Sequence, residues 1–159
     1  MSTLRRARAV LFRQALRLLA DGSSSNGVPG KNRRFSRSFK NALRGILFTF
    51  INERNFRFEA LMAVLAVIAG LAFGIDRLEW AIILTNVFLV LALEAKNTSL
   101  ELTTNIATRE YDYGAKGSKD ASSGAVLLAS ASSVLAGLFI FAPRIFALAW
   151  KTVSILLGN

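Results

Sequence analysis

Residues 80–105 read WAIILTNVFLVLALEAKNTSLELTTN, and this stretch decides the fold. Its first half is an apolar run, and its second half changes abruptly to two carboxylates, an ammonium and two amides. An unbroken apolar segment that ends among acids and amides, with no Gly or Pro inside, predicts a helix that crosses a bilayer and emerges into a polar layer. Glu94, Asn97, Glu101 and Asn105 recur at helical spacing, so they share one face of that helix. Lys96 is two residues from Glu94 and falls on another face, which makes it a poor permanent partner for that acid. An acid near mid-span costs roughly 2.5 to 3.5 kcal/mol on insertion scales, less toward the interface, so such residues are read first as functional.

The composition agrees with a membrane protein. The 159 residues are 53% hydrophobic and carry a formal charge of +10, with no Cys and no His. Mean hydropathy is +0.43. High apolar content and a large charge imbalance in so short a chain imply that the two properties occupy different segments. Most of the basic residues precede residue 58, where the clusters RRAR and KNRR lie. Basic clusters flanking a span are the positive-inside signal, a simpler reading than a nucleic-acid surface, and no nucleic-acid partner is expected. Without Cys and His, disulfides, thiolate metal sites and imidazole acid–base chemistry are excluded, leaving carboxylates, hydroxyls and Lys or Arg.

Working outward, two further apolar segments have the length a hydrocarbon core of about 30 Å requires. The expected spans are residues 59–75, 80–101 and 121–142. The short DRLE turn makes the first two antiparallel neighbours. With the basic N-terminal half inside, the segment from Leu102 to Lys119 is a cytoplasmic loop, and Pro143 is expected to stop the third span. Residues 143–159 then form an amphipathic tail on the far side. Upstream, residues 34–57 place Phe35, Phe39, Leu43, Ile46, Leu47, Phe50 and Ile51 on one stripe, with Arg37, Lys40 and Arg44 off it. This predicts an amphipathic helix lying on the membrane surface. Residues 1–33 are a basic extension, with a short amphipathic helix over 1–20 and a linker. The third span is rich in Ser, Ala and Gly, which marks close helix packing, and three spans scarcely enclose a site, so an oligomer is expected.

Two carboxylates and two amides on one face suit a hard cation such as Mg²⁺, which commonly takes one or two carboxylates together with water and phosphate oxygens. Glu53, in INERNFRFE, stands at the cytoplasmic entrance of the first span. The loop REYDYGAKGSKD ends in Lys119 and Asp120 on that side. Acids for a metal and a Lys for phosphate, set at the lipid boundary, suggest phosphoryl transfer involving a lipid. No Walker A or GxGxxG pattern is present. The alternative is a small oligomeric transporter or interaction protein whose acids line a polar path.

SFKNALRGILFTFINERNFR, LEAKNTSLE and AKGSKDASSGAVLLA, in this order and spacing, resemble the bacterial integral-membrane diacylglycerol kinase and undecaprenol kinase family. The resemblance covers residues 34–142, and its combination of ExxN[ST]xxE with AKxxKDxx[SA][GA]AV is highly specific. It implies an ATP- and Mg²⁺-dependent lipid kinase of the bacterial inner membrane, a three-span homotrimer with shared, cytoplasmic active sites. By the same resemblance, Glu94 is the catalytic acid that takes the lipid hydroxyl proton, and Asn97 orients the base or a phosphate oxygen. Glu53 and Glu101 match the metal-binding pair. Lys119 matches a phosphate contact and Asp120 a nucleotide or helix-capping contact, while Glu110, Asp112 and Arg34 fall at further nucleotide contacts. Asn55, Phe56, Arg57, Glu59 and Ser123 occupy positions lining the lipid side. Three departures stand out: Asn105 where the family usually has Asp, Asp112 where it commonly has His, and Tyr113-Gly114 in place of a frequent Pro-Leu. Diacylglycerol and undecaprenol both fit as the acceptor.

Overall fold

The computed structural model describes residues 31–108 and 110–157, with the side chains of residues 31–34 left out. The basic extension expected before residue 31 lies outside the described residues. All regular structure among the described residues is helical, in four elements. These fall into two compact units, one ending at Arg57 and one beginning at Phe58.

The first unit holds helix α1, Lys31–Asn52. Its apolar side chains, among them Phe35, Phe39 and Leu43, are exposed in the single chain. Thr49 and Asn52 turn back on the helix, the Thr49 hydroxyl donating to the Gly45 carbonyl at 3.1 Å and Asn52 Nδ2 to the Phe48 carbonyl at 2.7 Å. The helix breaks at Glu53, and α2, Arg54–Phe73, begins at once. Arg57 fastens this junction by donating to the carbonyls of Ile51 and Phe50, at 2.8 and 3.2 Å. The Phe56 ring meets Phe50 edge-on, with centroids 6.4 Å apart.

The second unit is the rest of α2 together with α3, Arg77–Ala107, and α4, Tyr113–Leu156. The α2–α3 turn is closed by local chemistry. Gly74 takes φ of +60°, which a side chain would resist, and the Ile75 N–H returns to the Gly70 carbonyl at 3.2 Å. Asp76 then caps α3 by accepting from the Glu79 N–H, while the Glu79 carboxylate accepts from the Asp76 N–H, each at 2.9 Å. Just above this turn the three helices share a small core: Ile75, Ile83 and Ile140, with Ala66, Phe73, Trp80, Val87 and Phe141 against it. Gly70 leaves room for the Trp80 ring, since a Cβ there would stand 2.8 Å from it. Further along, Ser132 Oγ donates to Asn86 Oδ1 at 3.3 Å between α4 and α3.

α2, α3 and α4, of 20, 31 and 44 residues, are each long and apolar enough to cross a membrane, as the three expected spans require. At 1.5 Å per residue α2 is about 30 Å long, one hydrocarbon thickness. Their large side chains point outward, including Leu65, Leu71, Phe88, Leu128 and Phe139. In water this surface would be untenable; in lipid it is the natural one.

Two sequence expectations change. The segment from Leu102 to Lys119 is mostly helical rather than loop, because α3 runs on to Ala107 and Asp112 caps α4 by accepting from the Ala115 N–H at 2.7 Å. Pro143 does not end the third helix either, and α4 continues through it to Leu156. Proline removes the bond to the Phe139 carbonyl but leaves helical turns intact on both sides. Beside that carbonyl, the Arg144 guanidinium donates to the Ile140 carbonyl.

Candidate functional site

The polar half of α3 supplies the centre of the site. Glu94 is only 2% exposed, and Asn97 and Thr98 are buried with it. Lys96 points away and is exposed, as its position on another face requires. Thr98 Oγ1 donates to the Glu94 carbonyl at 3.0 Å, fixing its own rotamer against the turn that carries the acid. One turn on, Asn97 Nδ2 donates to Glu101 Oε1 at 3.2 Å. The amide oxygen of Asn97 is buried with no hydrogen-bond partner among the described residues.

Glu59, from the first turns of α2, approaches the same region and lies within electrostatic reach of Glu94. Its Oε2 is likewise buried without a partner. Glu59 lines a mostly apolar cleft of about 560 Å³, walled by Met62, Val87, Val90, Leu91, Val134 and Phe141, with Ser130 and Ser133 as its other polar side chains. The second unit thus sets the Glu59 carboxylate in a groove whose walls are mostly hydrocarbon, with Glu94 within its electrostatic reach.

The start of α4 brings cations to the end of α3. Lys119 Nζ donates to Asn105 Oδ1 at 2.6 Å, and Ser123 Oγ donates to the Lys119 carbonyl at 2.9 Å. Lys116 pairs instead with Asp120 at 2.6 Å, an exposed contact one turn apart. Asn97, Glu101 and Asn105 follow one another at four-residue steps, so the Lys119 ammonium is anchored one helical turn beyond the Glu101 position. Asp112 is engaged as the α4 cap, and Glu110 is exposed in the short connection, its carbonyl accepting from Thr108 Oγ1 at 3.0 Å.

Of the residues singled out from sequence, the second unit therefore brings Glu59 near Glu94, Asn97 to Glu101, and Lys119 to the end of the same helix. Glu53, Asn55, Phe56 and Arg57 belong to the first unit, at and just after the α1–α2 junction, with Phe56 buried and Asn55 exposed. Arg34 lies in α1, its side chain outside the described residues. Sequence reasoning missed the bracing by Thr98 and a bidentate ion pair at the other end of the bundle. There Arg144 donates to Glu79 Oε1 and Oε2 at 3.0 and 2.7 Å. The partners are 65 residues apart, and the only local sign was an Arg directly after the helix proline.

The donor set fits a hard cation. Glu101 presents a carboxylate, and the Asn97 amide oxygen beside it is buried and unpartnered. No group of three or more acids is gathered among the described residues, so phosphate oxygens, water or further protein ligands would complete the coordination.

Comparison with known proteins gives this arrangement its context. Residues 40–141 match the family model described as prokaryotic diacylglycerol kinase. The undecaprenol kinase of Bacillus subtilis (strain 168) is 38% identical over 112 residues, which are 70% of this chain and 91% of that protein. The diacylglycerol kinase of Synechocystis sp. is 31% identical over 112 residues, 70% of this chain and 64% of that protein. That of Escherichia coli (strain K12) is 30% identical over 92 residues, 58% of this chain and 75% of that protein. The matched region contains α2, α3, α4 as far as residue 141, the buried Glu94 and the Lys119 anchor; the chain belongs to the prokaryotic diacylglycerol kinase family, a family of membrane lipid kinases.

Proposed function

We propose that this protein transfers the γ-phosphate of ATP to the hydroxyl of a membrane lipid. The observation that carries the reading is Glu94, a buried carboxylate at the polar end of an apolar span, sharing its face with Asn97 and Glu101. Glu94 accepts the proton of the lipid hydroxyl as its oxygen bonds to the γ-phosphorus and the bond to the β-phosphate oxygen breaks, releasing ADP. Asn97 orients Glu101 and offers its own oxygen to the same site. Lys119 transfers from Asn105 to a phosphate oxygen, with Asp120, Glu110, Asp112 and Arg34 as further nucleotide contacts. Glu53 and Glu101 would hold Mg²⁺, which when bound neutralises charge on the transferring phosphate.

The lipid lies along the apolar cleft with its hydroxyl toward Glu59 and Glu94, and Asn55, Phe56, Arg57 and Ser123 line the lipid side. Undecaprenol is the acceptor to test first, because among the three relatives named above the undecaprenol kinase shares most identity. Diacylglycerol is the second. Helix α1 lies on the inner face of a bacterial inner membrane, its Arg and Lys among headgroups, and the active site opens to the cytoplasm. Three copies assemble and complete one another's sites, a reading supported by the apolar exterior and by the buried oxygens of Glu59 and Asn97 that have no partner among the described residues.

The test is transfer of labelled phosphate from ATP with Mg²⁺, by purified protein in mixed micelles containing undecaprenol or diacylglycerol. Labelling of one lipid, lost in Glu94→Ala and in Glu101→Ala, is the expected result. Absence of lipid labelling overturns the reaction, and labelling that survives Glu94→Ala overturns the assignment of the base.

A further inference from the structure

Arg144 is a fixed point from which the last stretch of the chain can be measured. Its guanidinium grips both oxygens of Glu79, and Glu79 in turn accepts from the backbone N–H of Asp76. Arg144 therefore stands level with the turn that joins α2 to α3, where both of those helices end. α4 does not end there. It continues to Leu156, another 12 residues or about 18 Å of helix. The family match stops at residue 141, so this stretch lies beyond the region shared with the family.

What continues is the outward face of the span. Leu128, Leu135, Phe139, Phe146, Trp150 and Val153 follow at steps of seven, four, seven, four and three residues, one stripe down the helix, and all are exposed. Phe139 is 81% exposed, and Trp150, well past the turn, is 77% exposed. The only charged residue after Arg144 is Lys151, on the side away from this stripe. A face that meets lipid before the turn has the same chemistry after it. Standing upright beyond the spans, these residues would carry that face out of the hydrocarbon into water. Pro143 lies just before Arg144, where the helix lacks one backbone bond and bends most cheaply.

We propose that residues 145–157 are an interfacial anchor. The helix bends at Pro143 and lays Phe146, Trp150 and Val153 into the boundary between headgroups and acyl chains, on the side of the α2–α3 turn. Lys151 faces the phosphates and water. Trp is suited to this depth because its ring is apolar while its N–H can reach water or headgroup oxygens. The partner is a lipid surface, and the anchor stands whether or not the protein is a kinase.

The chain has two tryptophans, Trp80 and Trp150. Trp80→Phe leaves Trp150 as the sole tryptophan, excited selectively over the two tyrosines, in the full-length protein reconstituted in phosphatidylcholine–phosphatidylglycerol vesicles. The difference spectrum between the unaltered protein and Trp150→Phe isolates the same signal without touching the Trp80 packing. Blue-shifted emission is expected, quenched by lipids brominated near the headgroup about twice as strongly as by lipids brominated at the bilayer centre, and little by acrylamide. Strong acrylamide quenching without bromine quenching would place the tail in water and overturn the anchor. Strongest quenching from the bilayer centre would make the tail part of a longer span, and emission that ignores bromine but changes on dilution in lipid would make it a contact between copies; either also overturns it.

Discussion

Lys119 and Asn105 meet at 2.6 Å, an ammonium held by a neutral amide between the start of α4 and the end of α3. An amide oxygen holds a cation less firmly than a carboxylate would, so the contact can be exchanged for phosphate at small cost. Asn105→Asp converts it to an ion pair worth up to about 1 kcal/mol at an exposed site. We expect KM for ATP to rise by about two- to fivefold while KM for lipid stays unchanged. Lys119→Ala removes the cation itself and should lower kcat/KM for ATP by about ten- to a hundredfold, measured at saturating lipid.

Asn97 holds the Glu101 carboxylate at 3.2 Å. Residues that orient a metal ligand are commonly worth about ten- to a hundredfold in metal affinity. Asn97→Ala should raise the Mg²⁺ concentration for half-maximal activity by that order, and Asn97→Asp should differ from it because a second charge then faces Glu101. Chelation of Mg²⁺ should abolish transfer, and added Mg²⁺ should restore it.

Gly70 faces the Trp80 ring so closely that a Cβ would sit 2.8 Å from it. Gly70→Ala therefore overpacks the joint between α2 and α3, at a cost of about 1 to 3 kcal/mol. A lower thermal midpoint in detergent is expected. Trp80→Leu in the same chain should recover part of the loss, because the clash is with the ring and not with backbone.

Arg144 and Glu79 form a bidentate pair whose side chains are 31% and 21% exposed. Arg144→Gln or Glu79→Gln leaves the other charge half-buried, and each should cost about 1.5 to 3 kcal/mol. Measured as thermal midpoints, the double variant should lose less than the sum of the two, since it strands no charge.

The spans were legible because a bilayer imposes a length, and three runs of the chain meet it. The alignment of Glu94, Asn97 and Glu101 was legible because helical spacing alone puts them on one face, and the Asn97–Glu101 bond and exposed Lys96 follow from it. Phosphoryl transfer, by contrast, did not follow from periodicity alone; acids beside a Lys-bearing loop at the lipid boundary suggested it, with an acid-lined transport path as the alternative, and specific motifs carried the kinase reading. The continuation past Pro143 was hidden because proline is a local rule that two well-formed flanking turns outweigh. The Glu79–Arg144 and Asn105–Lys119 contacts were hidden because partners 65 and 14 residues apart are joined by packing, not by pattern.

The turn between α2 and α3 has a consequence for how the chain enters a membrane. Gly74, Ile75, Asp76 and Glu79 close it with hydrogen bonds drawn from the turn and the helix ends it joins. Backbone groups left bare at helix ends are the costliest baggage a chain can bring toward hydrocarbon. Here the turn needs nothing from α4 to satisfy its capping bonds. The two antiparallel segments can therefore insert together as a hairpin while the remainder is still being synthesised, and α4 arrives afterwards to dock Phe141 and Arg144 against a partly built wall.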